Sequence, residues 1–194
     1  VFMSHYCPKK LYRFVKPAIN LLAGIPSIVY GFFGLVVIVP IMKDLVGGSG
    51  KSLLTAGILL GIMILPTVIK TTESSLNAVP RSYYEGALAL GATHERSVFF
   101  ASLPAAKSGI LAAIILGVGR AIGETMAVIL VAGNQTVIPK SVTSGVRTMT
   151  SNIVMEMGYA GGLHRGALIA TGVVLFVFIL IINLCFSALK RRKD

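Results

Sequence analysis

Two ionisable residues occupy positions where charge is costly. Arg120 and Glu124 fall within Ser108–Val131, a run that is otherwise uncharged and dominated by apolar residues. A charged side chain at the centre of a membrane helix costs roughly 2.5–3.5 kcal/mol on insertion scales, so such residues are expected to face a bundle interior or a pathway. Their four-residue spacing puts both on one face of a continuous helix. Two chemistries fit that arrangement. In one, the Arg120 guanidinium attracts an oxyanion such as phosphate along a path, and Glu124 pairs with it when the path is empty. In the other, the two form a structural salt bridge that fixes helix register. Gly119 and Gly123 beside them, like Gly57 and Gly61 in an earlier apolar run, have the small-xxx-small spacing that admits a neighbouring helix and would shield the charges from lipid.

The segment Ser82–Pro104 is polar but patterned. Ser82-Tyr83-Tyr84-Glu85 has the spacing of a capping box, in which the Ser hydroxyl and the Glu carboxylate each satisfy a free backbone N–H. A short helix through Ala87, Leu88, Ala89 and Leu90 is expected to stop at Gly91, because glycine takes left-handed backbone angles cheaply. A second short helix is expected after Thr93, with Glu95 in its first turn complementing the helix dipole, and to end near Leu103-Pro104. This pattern predicts a helix–turn–helix elbow. An amphipathic hairpin lying on a membrane would share its capping signal.

Little else in the chain suggests chemistry. His5, His94 and His164 are dispersed, and Cys7 and Cys185 have no metal-ligand spacing and no disulfide framework. No cofactor is implied. No glycine-rich phosphate loop ending in Lys and Ser/Thr is present, so any ATP-driven role needs hydrolysis by a partner subunit, and the chain is expected to be no enzyme.

The elements that position these residues follow from composition. The 194 residues are 55% hydrophobic and only 13% charged, with a mean hydropathy of +0.83, whereas soluble domains are roughly a quarter charged. A bilayer core needs about 20 apolar residues of helix. Four runs qualify or nearly so: about 18–42, 52–69, 108–131 and 166–189. The expected organisation is an N-terminal segment 1–17, a transmembrane domain 18–189, an elbow loop 70–107, an external loop 132–165 and a basic tail 190–194. In the external loop, Val142, Val146, Met149, Ile153 and Met157 form a stripe at helical spacing. Gly24, Pro26, Gly31 and Gly34 could bend the first helix, and Ser27, Tyr30 and Asn134 could supply extra hydrogen bonds.

The net charge of +11 is distributed between the apolar runs and not along one polar face, which argues against a nucleic-acid partner. Lys9, Lys10, Arg13 and Lys16 precede the first run. Lys70, Arg81, Arg96 and Lys107 lie between the second and third, and Lys190, Arg191, Arg192 and Lys193 follow the fourth. The opposite side has only Lys43, Lys51, Lys140, Arg147 and Arg165. The positive-inside rule therefore predicts that both ends and the elbow loop are cytoplasmic. Val1, Phe2 and Met3 read as the tail of an earlier apolar helix, with a short disordered start as the alternative.

At the elbow a resemblance becomes specific. Glu85-Gly86-Ala87, three residues, Gly91, nine residues, then Ala101-Ser102-Leu103-Pro104 resembles the EAA signature of ABC importer permeases, with Gly86 in place of the middle alanine and Ala101 in place of isoleucine. In that family the elbow inserts into a groove on the ATP-binding subunit. The resemblance implies an all-α integral membrane fold of the type I importer (MetI-like) class, with four transmembrane helices here and a cytoplasmic coupling elbow.

Gly119 to Val128 (GRAIGETMAV), with Gly133-Asn134 after it, and Ala23 to Gly34 (AGIPSIVYGFFG) look like the phosphate permeases of the Pst type. Thr125-Met126-Ala127-Val128 resembles the PstC subunit more than PstA. This resemblance spans nearly the whole chain. It implies that Arg120 and Glu124 serve phosphate translocation, and that two further helices precede Val1. It also implies a PstA-like second permease, a PstB-like ATP-binding pair and an external PstS-like phosphate-binding protein as partners in a bacterial inner membrane. Sulfate, molybdate and amino-acid permeases share the elbow and are not expected to share the Gly119–Val128 segment.

Overall fold

The computed structural model describes residues 1–191, which are overwhelmingly helical. The basic tail expected at 190–194 lies outside the described residues, apart from the backbone of its first two. The helices are α1 (Lys9–Gly24), α2 (Ser27–Val46) and α3 (Leu53–Asn77), α4 (Arg81–Ala89), α5 (His94–Ala105) and α6 (Lys107–Ile122). Then come α7 (Met126–Val131), α8 (Met149–Glu156) and α9 (Gly162–Arg191). Three of them, Ser27–Val46, Leu53–Asn77 and Gly162–Phe186, are long and apolar enough to cross a membrane. The pair α5 and α6, bent by 65° at Ala106, makes a fourth span if counted as one.

Three helix boundaries differ from the sequence expectation. The run 18–42 is not one helix: α1 ends at Gly24, and α2 begins after Pro26, whose backbone (φ −58°, ψ 142°) is extended. Proline disfavours helical angles in the residue before it, so Ile25 cannot continue the turn. Residues 18–24 therefore belong to α1, which is amphipathic and basic. The run 108–131 breaks at Gly123, Glu124 and Thr125. The external stripe is helical only over Met149–Glu156, so Val142 and Val146 lie outside that helix.

The chain divides into two compact units. One consists of Ile25–Ile64 and Gly119–Leu184. Its core joins α2, the first half of α3 and α7 through buried Tyr30, Ile38, Leu59, Met63, Ala127 and Val131. Glycine permits close contact between these helices. A Cβ on Gly31 would stand 2.7 Å from the Ala127 Cα, and one on Gly34 would stand 2.8 Å from a Leu59 methyl. These, not Gly57, Gly61 and Gly119, are the close-approach glycines, since a Cβ on any of the latter three meets nothing within 4 Å. Ser52 caps α3 by accepting from the Thr55 N–H (3.2 Å), and the buried Thr55 hydroxyl donates to the Gly50 carbonyl (2.6 Å).

The other unit consists of Val1–Gly24, Leu65–Val118 and the end from Cys185. Here α1 is tied to the last turns of α3: buried Glu73 accepts from the Tyr12 hydroxyl and from Lys16 Nζ, the latter at 3.3 Å. Gly109 of α6 passes close to Ser75 of α3.

Candidate functional site

The elbow is built by α4 and α5. Its start differs from the expected capping box. The helix begins two residues earlier, at Arg81, with Pro80 in place of Ser82 as N-cap and no side-chain cap. Proline at ψ 136° already supplies the extended geometry an N-cap needs, so Ser82 falls inside the first turn. The stop is as expected. Gly91 has φ +83°, the Ala92 N–H donates to the Ala87 carbonyl (3.1 Å), and the Gly91 N–H donates to the Leu88 carbonyl (2.9 Å). That pair of bonds is the Schellman stop, which requires a left-handed residue at this position. Thr93 then caps α5, its hydroxyl accepting from the Arg96 N–H at 3.4 Å. The α5 helix widens to π geometry over Val98–Ser102 before Leu103 and Pro104.

The two arms meet. Ala87 and Ala101 line one cleft of about 330 Å³ with Ala92, Arg96 and Phe100. Glu85, Gly86 and Pro104 are exposed, and Leu103 is half-buried. Leu90, at the tip, is 91% exposed. A rigid turn presenting small and apolar residues outward is a surface able to seat on another protein. Sequence reasoning missed what stiffens it. The Tyr84 hydroxyl bonds His94 Nδ1 across the turn at 2.6 Å, and the His5 ring stacks on Tyr84. Two of the three histidines that look dispersed in sequence are thus neighbours. Burial, with help from nearby His94, lowers the His5 pKa below the ordinary histidine value.

Arg120 and Glu124 are separated by the helix break and do not share the face of one continuous helix. Arg120 lies in the last turn of α6 and is exposed. Glu124 precedes α7, and its carboxylate accepts from the Ala127 N–H at 3.3 Å. Each charge therefore stands at the helix end whose dipole favours it, the cation at a C-terminus and the anion at an N-terminus. The opened backbone is satisfied locally. The Glu124 carbonyl accepts from the Thr150 hydroxyl (3.1 Å). At the far end of α7, the Val131 carbonyl takes the Ser52 N–H (3.1 Å) and the Ala132 carbonyl the Val146 N–H (2.8 Å). The Ile129 carbonyl takes the Asn134 side-chain amide at 2.8 Å. Non-helical backbone at membrane depth survives only where such partners exist or where it lines a cavity.

The Asn134 hydrogen bond is a helix stop, with φ +51° following Gly133 at φ +87°. Gly-Asn after an apolar run was the available signal. Beyond it, Arg147 Nε donates to the Asn134 carbonyl (3.2 Å), and Arg147 pairs with Glu156 at 2.8 Å. Thr148 caps α8 by accepting from the Ser151 N–H (3.2 Å). A cavity of about 350 Å³ opens beside this cluster, lined by Gln135, Arg147, Asn152 and Thr171 among others.

Apolar spans, a broken helix with a charge at each lip and a stiff exposed elbow define an integral membrane component built of helices. Residues 1–194 match the family described as binding-protein-dependent transport system inner membrane component, and the chain belongs to that family. It is 39% identical over 200 residues to the probable ABC transporter permease protein YqgH of Bacillus subtilis (strain 168), covering 100% of this chain and 64% of that protein. It is 36% identical over 197 residues to the phosphate transport system permease protein PstC of Haemophilus influenzae, covering 91% of this chain and 62% of the relative. With PstC 2 of Mycobacterium tuberculosis it shares 33% over 214 residues, covering 100% and 66%. The chain thus spans a little under two thirds of the length of these relatives.

Proposed function

We propose that the chain is the membrane-spanning subunit of an ATP-driven phosphate importer. In this reading Arg120 and Glu124 line the phosphate path. The elbow residues Glu85, Gly86, Ala87, Gly91, Ala101, Leu103 and Pro104 transmit motion from a separate PstB-like ATPase pair. A PstA-like subunit completes the path, a PstS-like binding protein delivers the anion, and both ends and the elbow are cytoplasmic. The observation that carries the reading is the break between Arg120 and Glu124. It leaves a guanidinium, which bonds oxyanions well, exposed at a helix end beside a carboxylate that can repel or release an anion. Relatives named for phosphate transport support phosphate over other oxyanions.

The test is uptake of radiolabelled phosphate by cells lacking their own high-affinity importer, expressing the full operon with this subunit or with Arg120→Gln, membrane levels being matched. ATP-dependent uptake that phosphate competes, sulfate does not, and Arg120→Gln abolishes is the expected result. Uptake competed equally by sulfate would make this a permease for another oxyanion. Phosphate-dependent gene control without uptake would make it a signalling subunit.

A further inference from the structure

We propose that the seam between α1 and the last turns of α3 seats the phosphate headgroup of an anionic phospholipid. On α3 the seam is written at helical spacing: Lys70, Glu73, Ser74 and Asn77 share one face. On α1, Lys9, Arg13, Lys16 and Asn20 form a matching polar stripe, while Phe14 and Leu21 on the other side are 75% and 74% exposed. A basic helix with such an apolar face lies in the plane of a membrane interface. Between the two helices is a cavity of about 560 Å³, lined by Lys16, Asn20, Lys70, Glu73, Ser74 and Asn77.

Charge selects the occupant. Glu73 is buried and already engaged, by the Tyr12 hydroxyl and by Lys16 at 3.3 Å. Those bonds, that to Tyr12 first, raise the Lys16 pKa above the ordinary lysine value, so this pair is neutral as a unit. Lys70 has no ion-pair partner among the described residues. The cavity therefore carries one surplus positive charge, matching the single negative charge of a phosphodiester. The Asn20 and Asn77 amides and the Ser74 hydroxyl offer donors for its oxygens, and the exposed Phe14 and Leu21 offer an apolar surface for acyl chains. Basic pockets between membrane helices bind such headgroups. The inference does not depend on what the chain transports.

The test is thermal melting of the full chain in a neutral detergent as phosphatidylglycerol or phosphatidylcholine is added. Phosphatidylglycerol should raise the midpoint by roughly 5 °C and phosphatidylcholine should not. Lys70→Gln should lose at least half of that shift, while Lys43→Gln, a basic residue outside the seam, keeps it. Any shift from millimolar inorganic phosphate should be the same in wild type and Lys70→Gln. The proposal is overturned if the two lipids act alike, if Lys70→Gln responds as wild type to phosphatidylglycerol, if Lys43→Gln loses the shift equally, or if inorganic phosphate produces a shift that Lys70→Gln removes, which would make this a soluble-anion site. Native mass spectrometry of wild type, comparing retained phosphatidylglycerol with phosphatidylcholine at equal concentration, decides the lipid preference if the variant does not purify.

Discussion

Gly31 rests directly on Ala127: a Cβ on the glycine would stand 2.7 Å from the alanine Cα and 3.2 Å from its carbonyl oxygen. The obstacle is backbone, so it cannot rotate away, and relief requires α2 and α7 to separate. Gly31→Ala is expected to destabilise the chain by about 1–3 kcal/mol through overpacking, read as a lower melting temperature in detergent. Gly57→Ala, which meets open space, should leave the melt unchanged or raise it, since alanine is the better helix former.

Glu124 has two separable roles, a cap for the Ala127 N–H and a charge. Glutamine retains an accepting oxygen and loses the charge, whereas alanine loses both. Glu124→Gln should melt within about 0.5 kcal/mol of wild type, and Glu124→Ala about 1 kcal/mol below it. On the proposed phosphate path both lower phosphate uptake. Normal uptake in Glu124→Gln would leave the residue with capping alone.

The stop at Gly91 needs a left-handed residue. Gly91→Ala should cost about 1–2 kcal/mol locally, and on the proposed coupling role it should also reduce anion-stimulated ATP hydrolysis in the assembled complex. Gly86 lies in the same elbow with nothing within 4 Å of an added Cβ, so Gly86→Ala should preserve stimulation. Equal loss in both variants would mean that the elbow face, and not its turn geometry, is what matters.

Glu156, outside the membrane spans, links Tyr159, Arg147 and, from the first turn of α9, His164. The Tyr159 hydrogen bond and then the Arg147 contact hold its carboxyl below the usual range. A depressed carboxyl stabilises the fold above its unfolded value, about 4.3, and that contribution is lost as pH falls through the lower folded value. Hydrogen exchange over Met149–Glu156, corrected for intrinsic rates, should accelerate below about pH 4.3. Tyr159→Phe should shrink the acceleration and complete it at higher pH, because the folded value rises toward an unchanged unfolded one. An acceleration of the same size in that variant would remove Tyr159 as the main cause.

Much of the elbow was legible because its signals are local. Gly91 and Thr93 act through their own backbone and that of residues two to five positions away, and both stand where the sequence puts them. The capping box was misread for an equally local reason, since Pro80 supplied the start first. Pro26 was read as a bend in one helix, because the run 18–42 is continuously apolar, and it is a full break between two. The Tyr12–Glu73 and Arg147–Glu156 contacts were not legible, because no rule of spacing joins residues so far apart in the chain.

By itself the sequence determined that the chain is built of long apolar helices suited to lipid and that an elbow turns at Gly91. Those outcomes depend on hydropathy and on backbone preference, which each residue carries wherever it is placed. Tertiary structure decided that Arg120 and Glu124 stand on opposite lips of a break and not on one helical face. A break exposes backbone groups, and it is tolerable here because Thr150, from a distant part of the chain, takes the Glu124 carbonyl at the break, while Ser52 and Val146 take those at the far end of α7.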